Sequence, residues 1–119
     1  MALVLPATGT AAPSAEVVDP AEVDMEAEDT IRINIKDFTY QKGKVEIAPG
    51  TTIVWVNKDP VRHDVKLPRA QNDSLSSPVK TKLVGQGKRI ALRFNQEGNY
   101  LYICSIHPFM KGVVAVKSG

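Results

Sequence analysis

Cys104, His107 and Met110 fall within seven residues, in the stretch Cys-Ser-Ile-His-Pro-Phe-Met. The chain holds one cysteine and two histidines, and Met110 is the only methionine after residue 25. A C-x2-H-x2-M turn tightened by Pro108 can bring a thiolate, an imidazole and a thioether to one point. The other histidine, His63, lies on an earlier segment. If that segment neighbours the one ending at Cys104, His63 closes the same point from a second side. Soft sulfur donors select copper, and two imidazoles and a thiolate with a weak thioether form the donor set of blue-copper electron-transfer sites. Structural zinc sites use paired C-x2-4-C or H-x3-5-H spacings, and neither occurs here. Calcium and magnesium require oxygen ligands, which this cluster lacks. A Cys/His hydrolase would need a third group to orient the imidazole and an oxyanion hole, and neither is recognisable. The chain therefore reads as a metal-binding protein and not as an enzyme.

Strands have to position these residues. Ile31, Ile33 and Ile35 alternate with polar residues, which directs three isoleucines to one face. Residues 44–47 form a short strand before the Pro49-Gly50 turn. Residues 51–56, Thr-Thr-Ile-Val-Trp-Val, are β-branched and aromatic, as in a buried strand. Further strands are expected over 61–67 with His63, over 88–94 with Ile90, Leu92 and Phe94 inward, over 99–104 ending on the cysteine, and over 112–117. Residues 68–79 read as a polar loop. Seven or eight short strands with frequent turns and no helix predict an all-β Greek-key sandwich.

Charge divides the chain. Seven of the 13 acids precede residue 31, and all 15 Lys and Arg follow it. Residues 1–30, rich in Ala, Pro and acids, predict a disordered leader or linker, because such a composition buries too little apolar surface to offset its ordering entropy. Their first half resembles the end of a secretory signal without its basic region. Residues 31–119 form the domain. No apolar run has the ~20 residues that a membrane helix needs. The basic residues are scattered singly and show no aromatic platform between them, so no nucleic-acid partner is expected. Lys58, Arg62, Lys66 and Arg69 lie close to His63 in sequence and could steer an acidic redox partner.

The CSIHPFMKG turn, the preceding Gly-Asn-Tyr-Leu-Tyr-Ile run and the upstream histidine resemble the plastocyanin/azurin type of cupredoxin. The C-x-x-H-P-F-M loop is similar to that of the amicyanin subgroup. The resemblance covers residues 31–119. It implies a β-sandwich with one type 1 copper ion held by His63, Cys104, His107 and Met110. The implied role is a small, monomeric one-electron carrier cycling between Cu(I) and Cu(II), with copper storage or delivery as the alternative. It also implies a periplasmic or other extracytoplasmic location. The implied redox partner is a dehydrogenase or cytochrome, docking on an apolar patch of Ile106, Pro108 and Phe109 around His107. One position departs from the family: Asp64 stands where Asn is common after the first histidine, so the potential and the tie between the two ligand loops depend on what this carboxylate does.

Overall fold

The computed structural model describes residues 13–72 and 74–119. Ten strands form two five-stranded sheets. In chain order they are β1 (Ala15–Val18), β2 (Thr30–Lys36), β3 (Thr39–Tyr40), β4 (Lys44–Ile47), β5 (Thr51–Asn57), β6 (Lys66–Leu67), β7 (Val79–Lys80), β8 (Arg89–Phe94), β9 (Gly98–Ile103) and β10 (Lys111–Val116). The first sheet runs β1-β8-β5-β2-β3 and the second β4-β10-β9-β6-β7. β2 pairs with β5, and β4 with β10, in parallel; the remaining pairs are antiparallel. The expected all-β sandwich is present. Only two three-residue 3-10 turns, Pro20–Glu22 and Arg69–Gln71, interrupt the β structure among the described residues.

Period-two patterning fills the space between the sheets. Ile33, Ile35, Ile53, Trp55, Ile90, Leu92 and Phe94 from the first sheet meet Leu67, Tyr100, Tyr102, Val114 and Val116 from the second. β5 is buried along its whole length, on both faces. Its inward residues join this core. Outward-facing Val54 and Val56, with Ala91 of β8, form a second apolar cluster covered by Val18, Val23 and Met25.

That cover corrects the expectation for the leader. Residues 1–12 lie outside the described residues, but Ala15–Val18 form an edge strand paired with Ala91–Phe94. The acidic segment that follows lies against the outer face of the first sheet. A few apolar side chains in a polar stretch suffice, because sheet pairing satisfies the backbone and three apolar residues of the sheet require a cover. The strand expected over 61–67 is reduced to β6; His63 instead makes an isolated bridge with Val84. β3 and β7 are two-residue strands with no sequence period of their own.

Candidate metal centre

β6 and β9 are neighbours, through Lys66 and Ile103. The segment entering β6 and the turn leaving β9 therefore lie side by side at one end of the sandwich. Cys104 follows β9 directly and is fully buried. The turn after it closes on itself: the Met110 N–H donates to the His107 carbonyl at 2.9 Å, and the Cys104 N–H donates to the Met110 carbonyl at 3.2 Å. Met110 is buried in the main core cluster with Cys104.

The structure brings His63, Cys104 and His107 together. One donor atom from each lies within 4.8 Å of the others. Cys104 Sγ is 3.8 Å from His63 Nδ1 and 3.6 Å from His107 Nδ1. His63 is fully buried and His107 is partly exposed. A thiolate and two imidazole nitrogens, with the thioether of Met110 on the same turn, are soft and borderline donors of the kind that suits copper.

Asp59, which sequence reasoning left in a turn, holds His63 from behind. Its Oδ2 is 2.8 Å from His63 Nε2. A carboxylate only accepts, so Nε2 carries the proton and Nδ1 keeps its lone pair for a metal. Asp59 also accepts the Asp37 and Phe38 N–H groups, at 2.6 and 3.0 Å. Its own N–H donates to Asn57 Oδ1, which fixes the turn. Burial alone would raise the Asp59 carboxyl, but the Phe38 and Asp37 amides and the His63 imidazole outweigh it and hold it below its ordinary value. A lowered folded value means that Asp59 stabilises the fold above about pH 4, the ordinary Asp range, and that this share is lost as pH falls toward the folded value. Asp59→Asn is therefore expected to lower the stability of the metal-free protein by about 1–3 kcal/mol at neutral pH and by little in acid. Thermal melts from pH 2 to 8 check this: parallel curves for the two proteins would count against it.

Asp64 joins the two ligand segments. Its Oδ1 accepts the Ser105 N–H at 2.7 Å and its Oδ2 the Ser105 hydroxyl at 2.5 Å. The Tyr40 hydroxyl donates to the Asp64 carbonyl at 2.6 Å, in a site buried enough to push the phenol well above its usual range. The tie expected at this position is thus made with Ser105 as donor and without an amide. A buried negative charge beside the centre favours the more positive oxidation state of a bound metal. At an effective dielectric constant near 20, a unit charge roughly 6–8 Å away amounts to about 2–3 kcal/mol, roughly 90–120 mV for one electron. Asp64→Asn is expected to raise the reduction potential of the copper-loaded protein by about that much, measured by voltammetry.

The predicted apolar patch is exposed: Phe109 at 68% and Ile106 at 48%, with Pro108 between His107 and Phe109. Lys58, Arg62 and Arg69 are exposed and Lys66 is half-buried. Phe38 is also exposed beside the two histidines, and the sequence offered no sign of its place there. No helix among the described residues is long and apolar enough to cross a membrane.

Residues 27–117 match the model of the copper-binding proteins of the plastocyanin/azurin family. Among curated relatives, the chain is similar to amicyanin of Paracoccus versutus, at 32% identity over 75% of this chain and 66% of the relative. It is also similar to amicyanin-alpha of Methylorubrum extorquens, at 29% identity over 71% of this chain and 70% of the relative. Among solved structures, an oxidised methionine-to-leucine variant of amicyanin superposes with a TM-score of 0.75, at 26% identity over 87% of this chain and 99% of that one.

Proposed function

From the premise that the chain belongs to the plastocyanin/azurin family of copper-binding proteins and is an amicyanin-like electron carrier, we propose that His63, Cys104, His107 and Met110 hold its single type 1 copper ion. The observation carrying this assignment is the convergence of His63, Cys104 and His107, from two separate segments, with both Nδ1 atoms 3.8 and 3.6 Å from Cys104 Sγ.

Bound copper supplies the one-electron Cu(I)/Cu(II) couple. This chain's residues keep the centre fixed while the charge changes. Asp59 orients His63 through Nε2. Asp64 locks the His63 segment to Ser105, the residue after the thiolate. The Met110 backbone closes the ligand turn. Core packing around Cys104 and Met110 keeps water away from the sulfur side. His107, the partly exposed imidazole, is the electron's exit. Ile106, Pro108 and Phe109 form the docking patch around it, since an exposed apolar patch commonly marks a partner site. The partner is a dehydrogenase or cytochrome, met by a monomer in the periplasm or another extracytoplasmic space. Residues 31–119 are the copper domain, and residues 15–30 dock on it as strand β1 and the cover of its first sheet. No catalysis by the chain itself is part of this reading.

The test is spectroscopic. Protein loaded with one equivalent of Cu(II) is expected to develop an intense blue thiolate-to-copper charge-transfer band. That band should bleach on reduction and return on oxidation. Cupric protein that stays colourless would end the assignment.

A further inference from the structure

β2 and β3 are joined by two residues, Asp37 and Phe38, both with left-handed backbone at φ 54° and 55°. That is the type I′ hairpin turn, whose second position is usually glycine because a residue with a Cβ is strained there. Here it is phenylalanine, and its burial is incomplete: the residue stays 39% exposed, outside the core between the sheets. Strain of this kind persists where surrounding groups over-determine the conformation, and it clusters at functional sites. The Asp59 carboxylate supplies the restraint by accepting the N–H groups of both turn residues. The same carboxylate holds His63 Nε2.

The Phe38 ring lies against both imidazoles. Its centroid is 5.4 Å from that of His63, with planes at 86°, and 4.9 Å from that of His107, at 90°. Both are edge-to-face contacts within the favourable range for aromatic pairs. His107 has greater need of such a contact. His63 is buried and tied to a carboxylate, whereas His107 is partly exposed on a turn and has no such partner among the described residues. The ring neighbours of His107 are Phe38, Phe109 and His63. Phe109 is itself on the ligand turn and moves with it. Phe38 is anchored from a different hairpin.

We infer that Phe38 is a positioning residue for the metal centre, a strained turn residue retained because its ring braces both imidazoles, with Asp59 coupling the turn to His63. The inference rests on the assignment of His63 and His107 as copper ligands. Phe38 acts by packing: its ring, held from a separate hairpin, would limit the movement of the His107 imidazole that it touches.

Phe38→Gly separates bracing from ordinary packing, because glycine accepts the backbone conformation and removes the ring. Phe38→Tyr keeps the ring. Wild type and both variants are compared by the melting temperature of metal-free protein, the blue band of loaded protein, and the rate at which excess bicinchoninate captures Cu(I) from reduced protein. The expected result is that metal-free Phe38→Gly melts at or above wild type while its copper is captured about tenfold faster or more, as for loss of an outer support of a metal ligand. Phe38→Tyr should restore the wild-type rate. A capture rate for Phe38→Gly equal to wild type would overturn the inference. So would faster capture accompanied by a lower metal-free melting temperature, which would make Phe38 a simple packing residue. A colourless wild type would remove the ligand assignment and this inference together, whereas a blue wild type with unchanged capture in Phe38→Gly removes the inference alone.

Discussion

Copper-loaded Cys104→Ser protein is expected to lose the blue band entirely while keeping its fold. The thiolate is the strong donor in the proposed set, and the colour is its charge transfer to the metal; a serine hydroxyl at the same place is neither soft nor readily ionised. The side chain is fully buried and belongs to the main core cluster. Serine is nearly isosteric, so no large cavity opens, but a buried hydroxyl without an assured partner costs about 1–3 kcal/mol. Absorption spectra and thermal melts of the metal-free protein separate the two effects. A variant that retains the blue band would show that the sulfur of Cys104 is not the ligand. A variant that is colourless because it is unfolded would be identified by its melt.

The largest loss of stability is expected two residues beyond the ligand turn. A Cβ placed on Gly112 would fall on Cζ and Oη of Tyr102, its cross-strand neighbour on β9. Tyr102 has no room to withdraw. It is fully buried, with the Tyr40 ring 4.7 Å away and the Trp55 ring 5.2 Å away. The same enclosure pushes its phenol up to about 12. Overpacking a rigid core costs typically 1–3 kcal/mol and more when nothing can give. Gly112→Ala is therefore expected to destabilise the protein by about 3 kcal/mol or more, a fall in melting temperature on the order of 10–20 °C for a domain of this size. Calorimetry of the metal-free protein checks it. A shift of a degree or two would mean that the ring and strand β10 can part cheaply. The damage should reach the metal as well, because β10 begins at Lys111, immediately after Met110.

The cluster of His63, Cys104 and His107 was more legible in the sequence than the structure around it. Cys104, His107 and Met110 are rare residue types crowded into one turn, and His63 is the only other histidine, so few alternative groupings existed. The sandwich followed from alternation in β2 and β8, where isoleucines, Leu92 and Phe94 share one face and arginines, lysine and asparagine lie on the other. Asp59 and Phe38 were not legible. An aspartate in an Asn-Lys-Asp-Pro turn has a sufficient local reason to be there, and only the folded chain brings it to residues 37 and 38. The docked leader did leave a trace. β5 reads Thr-Thr-Ile-Val-Trp-Val, apolar on both faces, and a sheet whose outer face meets water does not need Val54 and Val56. That excess implies a cover, although it does not say which segment supplies it. The role of Asp64 could be located but not resolved from sequence, because Ser105 complements a carboxylate only once the two loops are adjacent.

The parallel pairing of β4 with β10 brings positions 44–47 beside 113–116. Contacts of this kind close long stretches of chain before they return any stabilisation, and topologies rich in them fold over milliseconds to seconds. The segments carrying residues 63 and 104 become neighbours only when β6 lies against β9, itself flanked by β10. Three of the proposed donors, Cys104, His107 and Met110, stand together in any conformation of the chain, whereas His63 reaches them only through this pairing. The fourth position of the centre thus depends on chain topology, while the other three depend on seven contiguous residues.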